Sequence, residues 1–197
     1  MRKHERFVDE KIKDIAKEKN VLDIGGGERF QKWLAPYKEL FKDVAYKSMD
    51  YDPASGADVI GDIHKIPLAD DSIDAIICHS VLEQVRDPLL ATKELHRILR
   101  PGGKIFVHVP SIYPYHARKG SYPDYWRFFD DTLLVMFGNF SHFEIEKRGG
   151  YFTALFFFMP FQHKLRFLID PIAEFLDSAF GTLKRTTTSG YYIYAIK

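Results

Sequence analysis

Asn20-Val21-Leu22-Asp23-Ile24-Gly25-Gly26-Gly27 is the stretch on which the fold turns. Asn20 to Ile24 is a short, mostly apolar run that reads as a buried strand. Three glycines end it. Without side chains, they let the backbone approach a ligand closely. In parallel α/β sheets, nucleotide-like ligands lie beyond the carboxyl ends of the strands. An acid at the end of the next strand then holds ribose hydroxyls. Asp50 follows the apolar run Val44 to Met49 and opens Asp50-Tyr51-Asp52-Pro53. Its distance from the glycines is close to the roughly 20 residues of dinucleotide folds. The plain alternative is a tight strand-to-helix turn at the glycines, with Asp50 and Asp52 as turn residues before Pro53.

Working outward, Phe7, Val8, Ile12, Ile15 and Ala16 recur at helical spacing and predict an amphipathic first helix. A short helix is expected through Phe30 to Leu34, and a brief strand over Asp58 to Gly61. Asp70-Asp71-Ser72 signals a turn, and Ile73 to His79 reads as a buried strand. Asp87-Pro88 starts a helix, with Asp as cap and Pro at the first helical position. That helix stops at Arg100-Pro101-Gly102-Gly103, and Lys104 to Val109 is the next strand. Strands thus alternate with helices through the first half, which favours a parallel sheet with helices on both faces. Asp130 to Phe137 reads as a helix and Phe143 to Lys147 as a strand. Tyr151 to Thr182 reads as mostly helical, and Gly190 to Ile196 as a closing strand.

The chain has 197 residues, enough for one domain with a real core. A net charge of +1 provides no global field for nucleic acid. Cys78 is the single cysteine, which excludes an internal disulfide and a multi-cysteine zinc site and fits a reducing cytoplasm. His79, His108 and His116 come from separate segments without tight ligand spacing, so no metal is predicted. Residues 1–20 have no signal-like apolar core. The longest apolar run, Tyr151 to Phe161, is about half of the roughly 20 residues that a spanning helix needs, and Pro160 interrupts it.

The ordered set of motifs resembles the class I S-adenosylmethionine-dependent methyltransferases over about residues 20 to 110. Val21 to Gly27 looks like their first motif, and Asp50 matches their ribose-binding acid. Gly61-Asp62-Ile63-His64-Lys65-Ile66-Pro67-Leu68 resembles the segment whose acid meets the adenine amino group, with Asp62 in that place. Asp70 to Ile77, His79 to Val85, and Leu99 to Lys104 resemble the fourth strand, its continuation and the turn before the fifth strand. The resemblance implies a single domain over 1–197. Its fold is a Rossmann-like, seven-stranded α/β sandwich, mostly parallel, with an antiparallel last strand. Where the family usually closes with a hairpin, about 151–185 are expected to form an apolar helical insertion before that strand. The implied cofactor is S-adenosylmethionine, the product S-adenosylhomocysteine. Asp23, Gly25, Gly26 and Gly27 would hold its amino-acid portion, Asp50 and Tyr51 the ribose region, Asp62 and Ile63 the adenine, and His79 the methionine end. Arg29 stands where many family members have a third glycine. Phe30 lacks the last glycine of G-x-G-x-x-G, against a nicotinamide oxidoreductase; a non-catalytic partner-binding module of the same fold is the other alternative.

The loop Pro110 to Phe128 leaves the carboxyl edge and should lie over the pocket. His116 is the candidate base for an acceptor hydroxyl. Tyr115, Tyr125, Trp126 and Arg127 are candidate acceptor contacts; alternatively Asp124 and Arg127 pair to pin the loop while Trp126 fills the core. The Tyr-Pro-x-His and Asp-Tyr-Trp-Arg-Phe segments resemble a bacterial methyltransferase subgroup, some of it associated with cell-surface glycan assembly. That implies a small-molecule, saccharide or lipid-linked acceptor, methylated at oxygen. Residues 151–185 have four readings: a lid, a dimer surface, a helical pair packed in the core, or a peripheral contact at the inner face of a membrane. In the last, Lys164, Arg166, Lys184 and Arg185 would sit near headgroups. Asp170-Pro171 is expected to cap and restart a helix there.

Overall fold

The computed structural model describes residues 2–30, 32–120, 122–160 and 162–197. Phe161 and the Arg166 side chain, both named above, lie outside what is described. The strands are β1 (Asn20–Ile24), β2 (Ala45–Asp50), β3 (Val59–Ile60), β4 (Ile73–His79), β5 (Leu99–Pro110), β6 (His142–Lys147) and β7 (Gly190–Ile196). They form one seven-stranded sheet in the order β3-β2-β1-β4-β5-β7-β6. The pairs from β3 to β5 are parallel, and β7 runs antiparallel between β5 and β6. This is a Rossmann-like, mostly parallel seven-stranded sandwich with the reversed last strand that the resemblance implied.

The helices are α1 (Lys3–Ile15), α2 (Pro88–Ile98), α3 (Asp130–Phe137), α4 (Tyr151–Phe156) and α5 (Gln162–Ala179). Two cores flank the sheet. One joins α2 and α3 to Leu22, Ile76, Ile105 and Val107. The other joins α1 to Val21, Tyr46, Ile77 and Phe106. Because side chains alternate along a strand, Leu22 and Ile24 enter the first core while Val21 and Asp23 face the second. Asp87 caps α2 as expected, its side chain accepting from the Leu90 amide at 2.9 Å.

Several local expectations change. The segment after the glycines is a 3-10 helix over Lys32–Phe41, with Pro36 inside it. No α-helix forms between β2 and β3 or between β3 and β4; Pro53, Gly56, Pro67 and Asp70-Asp71 fill those connections with turns. The alternation of strand and helix is therefore incomplete. Arg100 to Gly103 does not separate helix from strand. Leu99 already pairs with Ile73, and the register then jumps to Lys104 against Ala75, so the Pro-Gly-Gly turn bulges out of the ladder. Asp170-Pro171 does not restart a helix either. α5 runs through Pro171, and the Asp170 carboxylate lies 3.4 Å from Arg2 instead of capping. Nor is the α4–α5 pair packed into the core, because much of its apolar surface is exposed.

Candidate active site

Asp23, the glycines, Asp50 and His79 meet at the carboxyl edge of β1, β2 and β4, as their strand positions dictate. The chain leaves β1 with Gly25 at φ 70, and the Gly25 amide donates to the Met49 carbonyl at 2.7 Å. A side chain at 25 would collide with Val81, and one at 26 would come within 2.8 Å of the Asp23 carboxyl carbon. Glycine therefore leaves the loop backbone bare, facing outward. Asp23 is buried, and the Tyr46 hydroxyl donates to its Oδ2 at 2.6 Å. Burial pushes its carboxyl up to about 7, the nearby Asp50 adds to that, and the Tyr46 bond opposes it.

Asp50 turns a carboxylate oxygen toward Gly27 and accepts from the Asp52 amide at 3.0 Å. Tyr51, beside it, is exposed. Asp62 accepts from the His64 amide at 2.9 Å and lies 2.6 Å from the His64 ring nitrogen; Ile63 is buried next to it. Arg29 is turned away from the glycines. Its Nε donates to Asp58 at 2.7 Å, and Asp58 also accepts from the Ser48 amide at 2.8 Å. That double contact holds Asp58 down at about 2.

His79 ends β4 in a row of stacked rings. Trp33 lies 4.2 Å from it on one side and His108 4.5 Å on the other, and His108 is 4.8 Å from Tyr192. Burial holds the His79 imidazole down at about 3 and pushes His108 well below its ordinary value too, so both rings are neutral at pH 7. Tyr192 leads into a cleft of about 200 Å³, also lined by Arg2, His4, Tyr37, Arg148 and Phe157. The Arg148 guanidinium stands 5.1 Å over the Phe157 ring and pairs with no acid among the described residues. Sequence reasoning missed Arg148: nothing local marks it, since its cleft is assembled from α1, the 3-10 helix, α4, α5 and β7.

The aromatic loop docks on the segment after β4. The Tyr125 and Trp126 amides donate to the Glu83 carbonyl at 2.7 and 3.2 Å, and Trp126 Nε1 donates to the Val85 carbonyl. Arg127 is held inside the loop, donating to Asp124 at 2.7 Å and to the Tyr113 and Pro114 carbonyls. It thus pins the loop. Trp126 is exposed and fills no core, and Tyr115 and Tyr125 are exposed as well. Burial alone would raise the Asp124 carboxyl; Arg127 and the His116 amide outweigh it and hold it below its ordinary value.

His116 faces two acids. Its Nδ1 lies 3.2 Å from Asp124, and its Nε2 3.8 Å from Glu83. The Glu83 carboxylate is buried, neither oxygen has a hydrogen-bond partner, and burial raises its pKa. Glu83 in turn raises His116. An unpartnered buried acid behind a histidine is a costly arrangement and marks functional sites. Glu83 was visible as the one acid in His79 to Val85, but its burial was not. Among the described residues, no group of three potential ligands could hold a metal ion.

Residues 22–107 match the family model described as a methyltransferase domain. A protein of Mycolicibacterium smegmatis described as a "probable S-adenosylmethionine-dependent methyltransferase" is 29% identical over 124 residues, 51% of this chain and 46% of its own length. The chain therefore spans less than half of that relative. A crystal structure of an S-adenosylmethionine-dependent methyltransferase from Archaeoglobus fulgidus superposes with TM-score 0.61 at 15% identity, covering 98% of this chain and 92% of the other. A phosphoethanolamine N-methyltransferase of Haemonchus contortus, solved with phosphomonomethylethanolamine and S-adenosylhomocysteine, gives TM-score 0.57 at 12% identity, covering 94% of this chain and 51% of the other.

Proposed function

We propose that this chain binds S-adenosylmethionine at the Gly25–Gly27 edge and catalyses methyl transfer to a small-molecule, saccharide or lipid-linked acceptor, at oxygen, on the cytoplasmic side of the cell. One observation carries the reading. The glycine loop, where a Cβ at 25 would meet Val81 and one at 26 the Asp23 carboxylate, lies between a buried acid on β1 and a second acid at the end of β2. That donor set fits a ligand with an ammonium group at one end and ribose hydroxyls further along. Asp23 and the backbone of Gly25, Gly26 and Gly27 would hold the amino-acid portion. Asp50, with Tyr51 beside it, would hold the ribose, Asp62 and Ile63 the adenine, and His79 the methionine end.

When bound, this cofactor supplies a methyl group already activated on a cationic sulfur. The protein's task is then to orient the acceptor and to exclude water. The neutral rings of His79 and His108 suit that task, because they add no positive charge beside a sulfonium. An acceptor hydroxyl must also lose a proton. His116 is the base we assign, with Glu83 and Asp124 stabilising its protonated form. Tyr115, Tyr125 and Trp126 offer exposed ring faces to a sugar, and Arg127 acts by holding that loop in place.

Calorimetry against S-adenosylmethionine, S-adenosylhomocysteine and NAD tests the cofactor. The first two should bind, and Asp50→Ala should weaken both more than tenfold, because it removes charge-assisted hydrogen bonds. Binding of NAD alone would overturn the reading. Unchanged affinity in Asp50→Ala would remove the ribose assignment.

A further inference from the structure

The apolar segment, which methyl transfer leaves unused, is built inside out. α5 turns its three acids toward the body of the protein. Asp170 and Glu174 meet the Arg2 guanidinium at 3.4 and 2.9 Å, and buried Asp177 accepts from the Gly150 and Phe152 amides at the start of α4. The opposite face repeats Leu165, Leu168, Ile172 and Phe175 every three or four residues, while Phe167 lies on the acid-bearing side with Asp170 and Glu174. Leu168 is 53% exposed, Ile172 54% and Phe175 71%. A surface helix of a water-soluble protein normally has the reverse polarity. An apolar face of this kind marks an interaction site.

Charge decides what covers it. Lys164 stands at one end of the face, and Lys184 and Arg185 lie just beyond the other. All three are exposed, and none pairs with an acid among the described residues. No acid of α5 is exposed alongside them. A second copy laid on this face would bring cations against cations in either orientation. A bilayer with anionic headgroups meets both demands: an acyl boundary for the rings and negative charge for the ends. No described helix is long and apolar enough to cross a membrane, so such a contact lies in the plane of the surface.

We infer that α5 is an interfacial docking element for an anionic phospholipid surface. Leu168, Ile172 and Phe175 rest in the acyl boundary, and Lys164, Lys184 and Arg185 at the headgroups. The inner edge of the same helix lines the Arg148 cleft through Asp170, so docking opens that cleft beside the bilayer. The inference stands on the surface alone and does not require the methyl-transfer reading.

Co-sedimentation of the full chain with vesicles tests it, using phosphatidylcholine alone and a 7:3 mixture with phosphatidylglycerol, in low salt and in high salt. The expected result is binding to the anionic vesicles that falls with salt. The double variant Leu168→Glu/Phe175→Glu should lower the bound fraction at least tenfold while its thermal unfolding stays within a few degrees, since both side chains already face outward. Lys164→Ala/Lys184→Ala/Arg185→Ala should weaken anionic binding and flatten its salt dependence. Absence of binding to either vesicle overturns the inference. So does binding that this double variant leaves intact. A concentration-dependent dimer that this variant abolishes, without vesicle binding, would assign the face to a second copy instead. S-adenosylhomocysteine affinity, measured in parallel, separates failure of this inference from failure of the cofactor assignment.

Discussion

Removing one hydroxyl, by Tyr46→Phe, should turn cofactor binding into a pH-dependent event displaced to higher pH. The Tyr46 hydroxyl donates to the buried Asp23 carboxylate at 2.6 Å. Burial raises that carboxyl to about 7, and the Tyr46 bond is what opposes the rise. A hydrogen bond to a charged group contributes about 1.5 to 3 kcal/mol, or about one to two pH units in the Asp23 titration. In the variant Asp23 should therefore titrate at about 8 to 9. The ring itself remains, so its stack on Phe30 survives. The ionised carboxylate is the form that suits a methionine ammonium. At pH 7 the wild type has about half of it, and the variant about a tenth or less. Affinity for S-adenosylhomocysteine at pH 7 should then fall roughly five- to fiftyfold and recover as the pH approaches 9. Calorimetry in buffers of different ionisation enthalpy counts the protons. The wild type should release about one proton on binding at pH 6 and little at pH 8, whereas the variant should still release about half a proton or more at pH 8. Apo stability has the matching sign. A carboxyl raised in the folded state contributes stability below its unfolded pKa of about 3.9, and that contribution is lost as pH rises through about 7. In the variant the loss should extend to higher pH, and Asp23→Asn should remove it. Identical proton counts in the two proteins would refute the assignment of Asp23 to the ligand's ammonium.

Asp177→Ala strips α4 and α5 of their shared acceptor, leaving the Gly150, Phe152 and Thr153 amides and the Thr153 and Thr182 hydroxyls without it. Local stability should drop by about 3 to 4 kcal/mol, seen as faster hydrogen exchange across 150–184 while β4 and β5 amides stay protected; uniform exchange would contradict a local network. Arg29→Ala breaks a pair in which the arginine side chain is 51% exposed, so the cost should be about 1 kcal/mol or less and cofactor affinity should change less than about threefold. A tenfold loss would instead place Arg29 on the cofactor. Glu83→Gln should bring the His116 titration down toward its ordinary value, read by NMR of the ring protons; an unmoved titration would disconnect the two side chains.

What was legible in the sequence follows the range of the interactions involved. β1 and its glycines, Asp50, the Asp87 cap and the strand at β7 are set by neighbours within a few residues, or by an alternation any strand must obey, whereas the reversed direction of β7 came only from the family resemblance. The 3-10 helix at Lys32–Phe41 was harder, because Pro36 and the tight exit from the glycines override a helical pattern. The α5 stripe was visible, but not which side faces out. Periodicity reports that a helix has two faces, and the choice between them is made by Arg2, far away in the chain, which draws Asp170 and Glu174 inward. Glu83 and Arg148 were hidden for the same reason: burial of the one and isolation of the other arise only when the loop at 111–129 and α4 close over them.

Tyr46 shows how the loop is built without its third glycine. Arg29 occupies that position and is tied to Asp58. The sharp turn moves one residue on, to Phe30, which adopts a left-handed φ of 56. That conformation costs a non-glycine residue roughly 1 to 2 kcal/mol. The Phe30 ring lies 4.2 Å from the Tyr46 ring and 5.7 Å from Phe41, contacts of the kind that contribute about 0.5 to 1.5 kcal/mol each beyond the area they bury. One tyrosine thus stabilises the turn through its ring face and the Asp23 carboxylate through its hydroxyl. The glycine loop and the acid beneath it are therefore coupled through β2, so the ring supports the shape of the cradle while the hydroxyl sets its charge.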